Sequence, residues 1–173
     1  MPRYDLPNAA PEPLRLVQRF VNTVDFERDR DWLADLLAEE GLKATPAELA
    51  RAHAIREALR ELLYANNRQR LEGDPHAILR LAATRARFTL DLEQPALVPD
   101  APGVDELLGR ILAVTYGAMV DGSWNRLKAC RNHGCRWAFY DYSRNRSASW
   151  CSMQLCGNRT KTRAYRRRQG VTA

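Results

Sequence analysis

Glycine and proline occur only nine times each in this 173-residue sequence, too rarely for a fibre or a long disordered linker. No apolar run approaches the ~20 residues that a membrane span requires. The longest, Ile111 to Val120, is interrupted by Thr115 and Gly117. Met1-Pro2-Arg3-Tyr4-Asp5 shows no charged segment leading into an apolar one. No secretory leader is therefore expected, and the cytoplasm is the expected location. Cysteine is absent from the first 129 residues, and acid is nearly absent from the last 48. What is present is ordinary: 45% apolar residues supply enough material for a sizeable core.

The shortage of acid splits the chain. Residues 126–173 carry twelve lysines and arginines against one acid, Asp141, a net charge of +11. Residues 1–125 carry a net −5. Such asymmetry predicts two sections with two tasks, divided at residues 1–125 and 126–173.

All four cysteines, Cys130, Cys135, Cys151 and Cys156, fall in the basic section. They form two C-x4-C pairs separated by fifteen residues. Matched short pairs at this separation point to one tetrahedral four-thiolate zinc site, because a short loop lets two thiolates reach one ion. Disulfides would need an oxidising compartment, which nothing else in the sequence implies. His133, inside the first pair, is a spare ligand that four thiolates make unnecessary. Arg136 to Asp141 is a strand candidate, and the proline-free stretch from Cys156 to Arg168 predicts a short helix. Knuckle, hairpin and a helix carrying the last ligand make a treble-clef-like finger.

The stretch from Lys128 to Arg168 resembles the CGNR zinc-finger family. The resemblance rests on Cys130, Cys135, Trp137-Ala138-Phe139, Asp141, Ser143, Asn145, Trp150-Cys151-Ser152-Met153, Cys156-Gly157-Asn158-Arg159, Lys161 and Arg163. Phe20-Val21-Asn22-Thr23 and the helical layout behind it resemble the ABATE domain that precedes such fingers. The resemblance implies a bacterial transcription regulator with a DNA-binding finger. Where the family often has basic residues before the Trp-Cys pair, this chain has Ser147-Ala148-Ser149, with Arg144 and Arg146 slightly earlier.

The first 125 residues read as mainly α. Leu14, Val17, Phe20, Val21 and Val24 recur at helical spacing, as do Trp32, Leu33, Leu36 and Leu37, with Gly41 as the stop. Thr45-Pro46 with Glu48 is a capping box opening a helix expected to run to about Gly73. Asp74-Pro75 opens another. Arg87 to Glu93 and Ala96 to Val98 predict a small β-hairpin, and Asp105 to Val120 the last helix.

The candidate nucleic-acid contacts are Arg144, Arg146, Arg159, Lys161, Arg163, Arg166, Arg167 and Arg168, since guanidinium forks match phosphate oxygens and guanine edges. Trp124, Trp137, Phe139 and Trp150 are expected in the finger's core rather than as base-stacking platforms. His53 and His76 lack second ligands and are expected to be ordinary packing or surface. Asn22, Thr23 and Asp25 read as a helix end and turn, or alternatively as the polar wall of a ligand pocket. The expected partners are DNA, a second copy of the chain and a small-molecule effector of the N-terminal section, with no membrane. No catalytic residue is assigned. Rival readings are a finger that binds RNA or an acidic protein, and a metal-dependent nuclease, for which the finger offers only His133, Asp141 and Asn158.

Overall fold

The computed structural model describes residues 8–168, and of Ala164, Arg167 and Arg168 the backbone alone. The chain runs through α1 (Arg15–Val21), the short strands β1 (Val24–Asp25) and β2 (Arg30–Asp31), and α2 (Leu33–Glu39). It continues with α3 (Pro46–Asn66), α4 (Pro75–Ala86), β3 (Phe88–Asp91), β4 (Ala96–Pro99) and α5 (Val104–Asp121). A 3-10 turn, Ser123–Arg126, leads to β5 (Leu127–Ala129), β6 (Ala138–Tyr140), a π-helical turn (Met153–Gly157) and α6 (Asn158–Arg168). The three strand pairs, β1–β2, β3–β4 and β5–β6, are antiparallel. The β1–β2 and β5 strands were not foreseen, being only two or three residues each.

α3 is the hub, with α1, α2, α4, α5 and β5 packed around it. Its start follows from the sequence. Thr45 accepts a hydrogen bond from the Glu48 amide at 3.3 Å, and the Glu48 carboxylate accepts from the Thr45 amide at 2.7 Å. Its buried side is Ile55, Leu59, Leu62 and Leu63, at three- and four-residue spacing. It ends at Asn66, short of the expected Gly73, because the next residues turn to the C-terminal section. The Asn66 amide donates to the carbonyls of Trp124 and Leu127 at 2.8 and 2.9 Å. The Asn67 amide donates to those of Ala129 and Ser149 at 2.7 and 3.0 Å. α2 stops where Gly41 adopts φ +75°, with Leu42 N–H donating to Leu37 C=O and Gly41 N–H to Ala38 C=O.

The β5–β6 hairpin has two faces in two cores. Leu127, Ala129, Ala138 and Tyr140 join α1, α3 and α5 in the main core. Phe139, between them, belongs to a second cluster with Cys130, Trp137, Cys151 and Cys156, and Trp150 packs against it. Packing is therefore continuous across residue 125. Trp137, Phe139 and Trp150 sit in the smaller core, as expected for the finger, but Trp124 sits in the main core instead, because the 3-10 turn that carries it packs on α5 and α3.

Two glycines in α5 carry opposite expectations. At Gly109 a Cβ would meet Pro99 at 2.5 Å and Ala86 at 2.9 Å, so only glycine lets the β3–β4 hairpin and α4 close on the helix. At Gly117 a Cβ would meet no atom of the described residues within 4 Å. Gly117→Ala is expected to stabilise the protein by roughly 0.5–1 kcal/mol through helix propensity alone, read as a higher midpoint in urea. Gly109→Ala should lower that midpoint.

Candidate metal centre and nucleic-acid interface

The first knuckle is wound on Asn132. Its carbonyl accepts from the amides of Cys135 and Arg136 at 2.8 and 3.0 Å, and its side-chain oxygen from the Gly134 amide at 3.3 Å. Arg136, at φ +56°, closes the turn into β6. In the second knuckle the Ser152 carbonyl accepts from the amides of Cys156 and Gly157, both at 3.0 Å. At Gly157 a Cβ would fall 2.7 Å from the Met153 sulfur, near the end of a flexible, exposed side chain that can move aside.

The four sulfurs lie within 4.8 Å of one another, with Cys135 and Cys156 each 3.7 Å from Cys151. A tetrahedron with metal–sulfur bonds of about 2.3 Å has edges of about 3.8 Å, so this donor set fits zinc. Its electrostatics need the cation. Hydrogen bonds from Cys135 and Cys151 pull the Cys130 thiol down to about 3. The Cys130 thiolate in turn pushes Cys135 and Cys151 up. Four thiols this close cannot all ionise until a divalent ion neutralises them. The Asn132 side-chain amide also reaches the Cys156 sulfur at 3.5 Å. The four cysteines hold one structural zinc, which closes the finger.

The basic residues separate into two groups. Arg126 donates to the carbonyls of Asp141 and Ser143 at 2.9 and 3.1 Å. Arg131 donates to the carbonyl of Asn67 through two nitrogens, at 3.0 and 2.6 Å. Arg136 bonds the Tyr64 hydroxyl at 3.0 Å and stacks over Phe26 and Tyr64. Lys128 is buried, and its ammonium meets the Asp141 carboxylate at 2.7 Å and the carbonyls of Arg146 and Ala148 at 2.6 and 3.2 Å. Asp141 also accepts from the amides of Ser143 and Ala148, so the section's single acid is wholly engaged in holding the loop that follows it. These four cations bolt the finger to itself and to the helices.

The other group faces outward. Arg144 and Arg146 are exposed on the 141–149 loop, and Arg159, Lys161, Arg163 and Arg166 on α6. Arg167 and Arg168 lie on the same helix, but their side chains are outside the described residues. Arg159 differs from its neighbours in pairing with Glu27, at 2.6 Å. Sequence reasoning missed Glu27 and the inward role of Lys128. A lone acid among twelve cations was the available signal for the second.

The polar residues after α1 have a place other than a pocket wall. Asn22 is fully buried, donating to the Ala138 carbonyl at 2.8 Å and accepting from its amide at 2.7 Å. Thr23, also buried, donates to Phe20 C=O and accepts from Arg56. Asp25 caps the β1–β2 turn through the amides of Glu27 and Arg28. The helix-end and turn reading describes them, and Asn22 extends it by docking β6. His53 pairs with Asp31 at 3.5 Å, while His76 and His133 are exposed.

Residues 126–169 match the family model of the CGNR zinc finger. Residues 14–121 match that of ABATE, described as "Putative stress-induced transcription regulator". None of the curated proteins compared with the chain matches it.

Proposed function

Since the chain belongs to the ABATE family and carries a CGNR zinc finger behind that domain, we propose that it regulates transcription by binding duplex DNA through the finger's outer basic face. The observation that carries this reading is the partition of the cations. The inward four are consumed by structure, whereas Arg144, Arg146, Lys161, Arg163 and Arg166 are exposed, and the finger's only acid is buried among its own partners. A merely solvated surface mixes both signs. Residues 1–125 supply sensing or dimerisation and, with a net −5, no second nucleic-acid surface. Zinc keeps the finger folded and takes no part in chemistry.

Neutralising about five phosphates gives a log–log salt slope of roughly −4.5 for duplex DNA. Changing Lys161, Arg163 and Arg166 together to alanine is expected to weaken binding to all sequences alike and to flatten that slope by about 3. Fluorescence anisotropy over a salt series checks both quantities. A triple variant that retains zinc, affinity and slope would reduce α6 to a solvated tail. Running structured RNA and an acidic peptide beside the duplex tests the two rival partners.

A further inference from the structure

A groove of about 860 Å³ lies between the β3–β4 hairpin and the C-terminal half of α5. Leu90, Leu92 and Leu97 form one wall, and Tyr116, Gly117 and Val120 the other. These walls are unusually open to water: Leu92 is 84% exposed, and Leu90 and Val120 are each 72% exposed. Its volume falls within the ~300–1,000 Å³ typical of small-ligand sites. Gly117 adds an independent mark. No described residue approaches its missing side chain, so among these the helix forgoes propensity there without any packing gain of its own. A glycine in such a place lets an occupant approach the helix backbone closely.

The charges at the groove select the occupant. Glu12, Asp91 and Asp121 line it, against one cation, Arg110. Arg110 is already committed, at 2.9 Å to Glu40 and 4.0 Å to Glu106. Asp91 and Asp121 each use one oxygen on turn amides, and Glu12 has no hydrogen-bond or ion-pair partner among the described residues. An apolar cleft with uncompensated carboxylates at its rim attracts an apolar body bearing positive charge and repels an anionic one. We infer that this groove binds lipophilic cations, such as hydrophobic amines or onium ions. The inference deepens the sensing role proposed for residues 1–125.

Tetraphenylphosphonium and tetraphenylborate, nearly equal in shape and opposite in charge, are the probes. Calorimetry on the zinc-loaded full chain is expected to show one phosphonium per chain, bound about tenfold or more tighter than borate at the groove. Gly117→Leu, which fills open space, should abolish phosphonium binding while leaving DNA affinity unchanged. Glu12→Gln should weaken phosphonium binding roughly threefold. Phosphonium binding that survives Gly117→Leu overturns the site. Borate binding of equal strength that disappears in the same variant overturns the charge selection. A wild-type dimer that Gly117→Leu turns into monomer, read by sedimentation, assigns the groove to a second copy instead. DNA binding is measured separately without probe, so its failure would strike the regulatory reading and leave the groove standing.

Discussion

Replacing Cys151 by serine is expected to release the zinc and cost on the order of 10 kcal/mol of folding free energy in the finger, because metal affinity in such modules is folding free energy. Cys151 is buried and sits 3.7 Å from two other ligands, so its loss opens the centre of the donor set. Metal analysis should fall from one zinc per chain toward none under a competing chelator. Hydrogen exchange should locate the damage. The knuckles and the 141–149 loop should lose protection, while α3 and α5 keep theirs, since Leu127, Ala129, Ala138 and Tyr140 still sit in the main core. A variant that retains one tightly held zinc would show that another group completes the site. Loss of the whole helical signal would show that the two cores melt as one.

Lys128→Met is expected to cost about 3–5 kcal/mol, the scale for removing one partner from a buried ion pair. The variant strands the Asp141 carboxylate, 1% exposed, and deprives the Arg146 and Ala148 carbonyls of their donor. pH supplies a second check. Burial alone raises the Asp141 carboxyl, but the Lys128 ammonium and the Ser143 amide outweigh it and hold the group below its ordinary 3.8. A depressed folded value means that this contribution is complete above about pH 4 and is lost as pH falls through the folded value. Without Lys128 its ammonium no longer holds the carboxyl down, so the group's value rises in the variant although the Ser143 bonds remain. The gap between wild type and variant in urea midpoint should therefore narrow as pH drops below about 4. A gap independent of pH would assign the cost to packing instead.

Features set by local chemistry were legible in the sequence. The Thr45–Glu48 box, the Asp74 cap, the Gly41 stop and the β3–β4 hairpin each depend on residues a few positions apart, and each stands where that chemistry puts it. The four ligands were legible because zinc imposes their spacing. Apart from the β1–β2 pair, which is local but only two residues per strand, the unforeseen features depend on distant partners. Asn66 ends α3 early because it serves Trp124 and Leu127, more than fifty positions on. Asn22 looks like any helix-end asparagine until Ala138 meets it. Arg126, Lys128, Arg131 and Arg136 have the same composition as the outward cations, and only their carbonyl and carboxylate partners distinguish them.

The docking of β6 on Gln18 and Asn22 also bears on how the protein is made. The Ala138 carbonyl that both side chains reach lies 120 and 116 positions later in the chain. A ribosome releases residues in order, at about 5–20 per second, so the helices emerge well before the strands that finish their core. Until residues 127–140 clear the exit tunnel, the surface they will cover stays wet, and the side-chain amides of Asn22 and Asn67 lack their acceptors. A transcript broken before the finger codons thus yields an unfinished bundle, prone to aggregation and a ready substrate for proteases. Only a chain translated through its finger becomes a durable molecule.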